Sequence, residues 1–366
     1  MPTETTYMLA LTFLQGMSYA QQLRSLQHYG TAEALFADTH PQEPRLREAL
    51  AGRSEVLRRA EKELAYCEAN HIRPLCFGTA AYPVRLANCP DPPLVLFCLG
   101  EADLNARHIV AVVGTRHATE YGKDLCRHFS EDLKRLVPDA LLVSGLAYGI
   151  DIHAHRGALN NNMPTVGVLA HGLDRIYPAQ HRETARRMVH EGGGLLTEYP
   201  IGTTPERGNF VRRNRIVAGL ADATIVVESA EKGGALITAQ LAQDYNRDVF
   251  AYPGRTTDIY SIGCNNLIKN NCAALITSAE DFALSARWID EKPKDKATPI
   301  QRELFPELNE EETLVVKSLA DENSKPISLI VSETQMAFNR VSIVLGRLEL
   351  KGLVKGLPGG MYRLLT

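Results

Sequence analysis

The apolar residues of this chain follow two rhythms. Up to about residue 75 they recur at helical spacing, through 20–26 and 32–36, and in "HYGTAEALF" Gly30 reads as a helix stop with Thr31 as the next N-cap. The Pro-rich "CPDPPLVLFCLG" (89–100) then marks a boundary followed by a short strand. From His108 to about Arg287 the pattern becomes one of short apolar runs separated by helical segments. In order these are "IVAVV", a helix over 119–136, "LLV", a helix over 149–161, "TVGVLA" and a helix over 179–191. They continue with "LLTEY", a helix near 210–220, "ATIVVE", a helix over 235–246, "VFAYP" and "AALIT". Strands that are apolar throughout and joined by helices predict a parallel sheet covered on both faces, an α/β, doubly wound, Rossmann-like architecture.

The charged, Pro-containing "WIDEKPKDKATPIQ" (288–301) reads as a linker. Beyond it, 302–366 reads as two helices, a longer helix, and two short strands around the Gly-rich turn of "GLVKGLPGGMYRLL", the pattern of a winged helix-turn-helix. The expected domains are thus a helical 1–75, a sheet domain 76–287, the linker 288–301 and a C-terminal 302–366.

Composition narrows the function more than the fold. The 366 residues carry a formal net charge of −3, so any contact with a polyanion has to come from a local basic patch. Residues 302–366 hold eight Lys/Arg against nine Asp/Glu. The helix "FNRVSIVLGRLELKG" there carries Arg340, Arg347 and Lys351 with Glu349, a weak bias for a reader of duplex DNA, which favours a protein-contact or weak DNA role. The seven cysteines are scattered and form no CxxC pair, as expected of reduced thiols in a cytoplasm. The start, "MPTETTYMLALTFLQG", lacks a basic n-region, and no apolar run approaches the roughly 18 residues that span a bilayer, so a soluble, cytoplasmic protein without a membrane partner is expected.

In a doubly wound sheet, ligands bind beyond the carboxyl ends of the strands. Those ends read "VVGTR", "VSGLAYGID", "VLAHGLD", "TEYP", "VESAEKGGALIT" and "AYPGR". Glycine punctuates nearly all of them. It permits close approach of a ligand to backbone N–H groups, and helix N-termini favour anions, so the row predicts a phosphate-bearing ligand stretched along the rim. The alternative is ordinary turn chemistry.

Catalytic and cofactor signatures are lacking. "YGKDL" has a Gly-Lys, but His117 stands where a P-loop needs its first glycine, and no GxGxxG follows a strand. Ser144-Gly145 is not a nucleophile elbow, since position 142 is Leu. His153 and His155 form an HxH, but on a helix Asp151 and His155 share a face that His153 leaves, so no metal site is expected and Asp151 reads as a cap or dipole partner. Glu228 could orient a ligand or bind a neighbouring N–H. Neither a catalytic residue nor a cofactor is assigned.

The basic patch has one clear candidate, "NFVRRNRIVAGLADATIVVE" (209–228). On a helical wheel Arg213 falls with Ile216, Val217 and Leu220, while Arg212 and Arg215 lie roughly opposite, toward solvent. Arginine forks suit phosphate oxygens, and Phe210 offers a ring on which a base can stack. A structural network remains open, with Arg213 paired to Glu228 or Glu198 and the other two solvated.

Together "VAVVGTR", "LVSGLAYGIDIHAHRGAL", "GLDRIYP", "GGLLTEYP", the RRNR segment, "VFAYPG" and "GCNNLIKNNCAALI" resemble the DNA-processing protein A (DprA/Smf) family, in order over about residues 76–282. The flanks are similar to that family's SAM-like or helix-hairpin-helix module and its optional winged helix. The resemblance implies a non-enzymatic homodimer that binds single-stranded DNA and loads a RecA-type recombinase onto it in natural transformation and recombination. It implies strand-binding roles for Gly114, Thr115 and Arg116, for Ser144, Gly145, Leu146 and Ala147, and for Asn209, Phe210, Arg212, Arg213, Asn214 and Arg215. It implies the same for Lys232, Gly233, Gly234 and Thr238, although many relatives have Ser-Gly where this chain has Lys232-Gly233. The alternative is a nucleoside-monophosphate phosphoribohydrolase on a related sheet, but "KGGALITAQ" lacks the second Gly-Thr and the glutamate of that family's PGGxGTxxE.

Overall fold

Side-chain caps start the first helices. Thr3, Ser18 and Thr31 each accept a backbone N–H at the head of α1 (Glu4–Phe13), α2 (Tyr19–Tyr29) and α3 (Ala32–Ala37), and Gly30 ends α2 with φ of 77°. With α4 (Pro44–Leu50) and α5 (Arg53–Ala69) they enclose a core that includes Leu9, Leu11, Leu35 and Leu46. The computed structural model describes residues 2–290, 308–320, 324–357 and 360–365, in two compact units, Met1–Asp290 and Glu291–Thr366.

The helical segment runs directly into the main sheet. β1 (Ile72–Cys76) crosses position 75 and pairs antiparallel with β2 (Val95–Gly100), on the far side of the short α6 (Val84–Ala87). β2 pairs antiparallel with β6 (Gly194–Thr197), so two antiparallel strands extend a sheet that is otherwise parallel. The remaining strands are β3 (Ile109–Val113), β4 (Leu141–Ser144), β5 (Thr165–Val168), β7 (Ala223–Val226), β8 (Asp248–Ala251) and β9 (Ala274–Leu275). The order across the sheet is β1-β2-β6-β5-β4-β3-β7-β8-β9.

Alternation within β3 shows why both faces are covered. Ile109, Ala111 and Val113 pack into one apolar layer, with Ile216 and Val217 of α10 (Arg207–Leu220) and Ala239 of α11 (Gly234–Asp244). Val110 and Val112 pack into the other, with Phe129 of α7 (Glu120–Leu136), Ala154 of α8 (Ile150–Asn160) and Phe282 beyond them. The chain passes from β3 outward through β4, β5 and β6, then returns to place β7 on the other side of β3. This reversal opens a crevice at the carboxyl ends of β3 and β7, where open α/β sheets take their ligands. Beyond β5 and β8 lie α9 (Arg182–His190), α12 (Ile262–Lys269) and α13 (Ala279–Ser285).

In the second unit α14 (Glu310–Ala320), α15 (Ile327–Thr334) and α16 (Phe338–Leu350) enclose Val315, Ile330, Leu345 and Leu348. They pack with an antiparallel sheet of β10 (Lys325–Pro326), β12 (Met361–Leu364) and β11 (Val354–Leu357), in that order. The two-residue β10 left no signal in the apolar pattern. Most of the expected linker, 291–301, and the turn residues 358–359 lie outside the described residues. Among the described residues no helix is long and apolar enough to cross a membrane.

Candidate nucleic-acid interface

The loop after β3 is fixed by its backbone, and the Thr115 hydroxyl accepts from the His117 N–H at 3.1 Å. Thr115 donates its N–H to the Glu228 carbonyl at 2.7 Å and accepts from the Ile150 N–H at 3.0 Å. Gly149 allows this approach, because it sits at φ 77° and a Cβ there would collide with the Thr115 carbonyl. The Glu228 carboxylate is occupied in holding the head of α7, accepting from Thr119 N–H at 2.9 Å and from its hydroxyl. That is the neighbouring N–H role open to it from sequence. Arg116, next in the loop, is left exposed.

A cavity of about 1060 Å³ opens over these strand ends. One wall is Gly114, Thr115, Arg116 and His117; Gly145 and Ala147 form a second. Phe210, Arg213 and Asn214 of α10 form a third, facing Lys232, Gly233 and Gly234 at the start of α11. α11 has no side-chain cap, and although the Leu236 N–H bonds to the Gly233 carbonyl at 3.1 Å, the amides of Gly234 and Ala235 before it are left for another acceptor. At the mouth the Arg116 guanidinium carbon lies 5.2 Å from the centroid of the Phe210 ring, and Tyr177 leans on that ring at 5.9 Å. Opposite, His117 stacks with Tyr260 at 6.0 Å. A pocket with exposed cations, aromatic faces and free amides suits a phosphodiester strand with its bases.

The three arginines of the RRNR segment of α10 have three different fates, while Arg207 at the head of the helix lines the cavity. Arg213 is buried and donates through Nη1 to the carbonyls of Gly145, at 2.6 Å, and Val168. Gly145 is required there, since a Cβ would strike the guanidinium. Burial lowers the Arg213 pKa and raises that of Asp151, which is buried nearby and accepts from the Ala147 N–H at 3.4 Å. Arg213 therefore pairs with neither Glu228 nor Glu198.

Arg215 departs from expectation. It is not turned to solvent: its side chain is 11% exposed, paired with Glu198 and donating to the Asp91 carbonyl at 2.7 Å. The Asp91 carboxylate also accepts from Tyr245 at 2.5 Å. The wheel could not anticipate this, because the loop around Asp91 and the end of β6 close over a helix face that looks solvated in isolation. Of the three, Arg212 alone is exposed and, among the described residues, without an ion-pair partner, and it lies outside the cavity.

Ser144, Leu146 and Asn209, also expected in the site, stand behind the cavity instead of lining it. Ser144 is buried and donates to the Val112 carbonyl at 2.6 Å. Leu146, at φ 55°, packs into the core and offers its carbonyl to His181 Nδ1 at 2.8 Å. Asn209 reaches back to the Thr204 carbonyl at 3.3 Å. Thr238 lines the cavity, but it is buried and its hydroxyl turns to Gly234 at 3.4 Å.

The family model for DNA recombination-mediator protein A matches residues 73–287, which covers the whole of this cavity. The chain belongs to that family. Protein Smf of Synechocystis is 37% identical over 311 residues, 77% of each chain, and Protein Smf of Escherichia coli is 34% identical over 314 residues, 83% of this chain and 80% of the relative. Among solved structures, DNA processing protein A of Streptococcus pneumoniae matches with a TM-score of 0.63 at 31% identity, over 77% of this chain and 97% of the other. The Helicobacter pylori protein, described for its single-stranded DNA binding mode, matches with a TM-score of 0.53 at 30% identity, over 59% of this chain and 96% of the other. None of these names denotes a catalysed reaction.

Family motifs point to the glycine turns but not to every lining side chain. Sequence reasoning missed Tyr177, Tyr260, His117 and Arg207, all of which line the cavity. Tyr177 lies in "GLDRIYP" and His117 directly follows "GTR", so proximity to the motifs was the available signal. Nothing local marks Tyr260.

Proposed function

We propose that this chain binds single-stranded DNA in the cavity at the ends of β3, β4 and β7. The observation that carries the reading is the placement of exposed Arg116 over Phe210 at the mouth of that cavity. Among the described lining residues the one carboxylate is Asp151, buried beside Arg213, so the site holds no pair of carboxylates for acid and base work. The single-stranded DNA binding described for the Helicobacter pylori relative supports the same reading.

In this reading the strand is passed to a RecA-type recombinase, in natural transformation and recombination, by a homodimer formed through the Rossmann-like domain in the cytoplasm. We read residues 1–75 as a SAM-like module and 302–366 as a winged helix beyond the 288–301 linker. Two cations near α16 are already paired, Arg340 with Glu311 at 2.8 Å and Lys351 with Glu312 at 2.8 Å, which supports protein contact or weak DNA binding there over duplex reading. The deciding experiment is a gel shift with single- and double-stranded oligonucleotides over a salt series. Preference for the single strand is expected, with a log–log salt slope of about −0.7 per neutralised phosphate. Equal binding of duplex, or release of adenine from AMP, would overturn the reading.

A further inference from the structure

A second cavity, of about 540 Å³, opens on the other side of Arg116. Arg116 and His117 line both cavities, so the two meet at that loop. The far wall of the second is Lys123 from α7 with His153 and Arg156 from α8, and its floor includes the apolar Ile152. Lys123 pairs with Glu120 at 2.6 Å. Arg116 and Arg156 have no ion pair among the described residues, and Arg156 reaches only the Thr184 hydroxyl, at 3.5 Å. A solvated basic face would be convex and interleaved with acids. This one is concave, and Glu120 is the sole acid paired to it among the described residues.

The lip carries an aromatic ring held in place. Tyr148 is 41% exposed, yet its hydroxyl donates to Gln180 at 2.9 Å and its ring meets His181 edge-on at 5.1 Å. A ring anchored at both ends and still open on a face is a platform on which a base can stack with little loss of freedom.

We propose that this cleft is a second nucleotide subsite, taking a phosphate and a base of the same single strand after it crosses Arg116. The proposal rests on the assignment of the first cavity to single-stranded DNA. It makes the binding track longer than the first cavity and gives the added part a dependence on pH. His153 faces Arg156 on its own helix, Lys123 and Glu120 on α7, and His181. Burial lowers its pKa, with Arg156 and Lys123 acting in the same direction. Burial also lowers that of His181, against its bond to the Leu146 carbonyl, with Arg156 lowering and Asp151 raising it. An arriving phosphate reverses the balance, so occupancy of this subsite takes up protons and strengthens as pH falls.

The test uses the full chain and fluorescence anisotropy with oligo-dT of about 4 and about 12 nucleotides. Lys123→Ala combined with Arg156→Ala is expected to weaken the longer strand by on the order of tenfold and to flatten its salt slope by about 0.7 per lost phosphate, leaving the shorter strand unchanged. His153→Gln is expected to flatten the rise in affinity for the longer strand between about pH 7.5 and about pH 6. An unchanged affinity for the longer strand in the double variant, or equal losses for both lengths, overturns the subsite while leaving the first cavity standing. Failure of the unaltered chain to bind either length removes the first assignment and this one with it.

Discussion

Arg213 and Gly145 are joined by a 2.6 Å hydrogen bond from guanidinium to carbonyl, within a helix–strand contact that leaves the arginine 3% exposed. The bond ties α10 to the end of β4, so the most buried arginine of the basic helix acts on the frame of the cavity. Arg213→Met is therefore expected to cost about 3–5 kcal/mol of stability, because two strand-end carbonyls and Asp151 lose their cation. Urea unfolding checks this. A variant that unfolds at the unaltered midpoint yet has lost DNA would make Arg213 a ligand contact instead.

Arg116→Ala and Phe210→Ala are expected to leave stability within about 0.5 kcal/mol and to weaken oligo-dT binding by tenfold or more each. Since the guanidinium lies over the ring, the two losses should add to less than their sum in a double-mutant cycle. Full additivity in anisotropy titrations would mean that the two groups hold different parts of the strand.

Arg215 gives a prediction about pH. Burial raises the Glu198 carboxyl above its ordinary range, and Arg215 pulls it back. A carboxyl raised in the folded state holds its proton more tightly there than in the unfolded chain. The contribution of Glu198 to stability is then greatest at low pH and falls as pH rises from the ordinary carboxylate range through the raised value. Removing Arg215 lifts that value further. Arg215→Ala should cost more stability at about pH 7.5 than at about pH 5, and adding Glu198→Gln should erase the difference. Thermal or urea unfolding at the two pH values decides it, and a loss independent of pH would mean the arginine acts through packing alone.

Lys232 is exposed and, among the described residues, unpaired. Lys232→Ala should leave the unfolding midpoint unchanged and make the salt dependence of strand binding shallower by about 0.7, the share of one phosphate. A slope equal to that of the unaltered chain would place Lys232 outside the track.

The sheet, its crossing helices and the glycine turns were legible because they rest on local rules: apolar runs, caps and strand ends. Arg213 was legible too, since the wheel sets it among Ile216, Val217 and Leu220. Arg215 was not, because its partners come from Asp91 and Glu198, and the helix pattern carries no trace of the loop that covers it. The same limit hid the antiparallel pairing of β2 with β6, which joins segments almost a hundred residues apart. Asn209 and Ser144 were placed in the site by motif and stand behind it by geometry: a short polar side chain next to a backbone carbonyl bonds inward before it reaches a ligand.

The burial of Arg213 in the cavity wall has a consequence for the response to salt. Mobile ions crowd around Arg116 and Lys232 and mask them as ionic strength rises, but they screen a guanidinium that is only 3% exposed much less. The response of strand binding to added salt should therefore be carried by the exposed cations, and Arg213 should act on the shape of the cavity more than on that response.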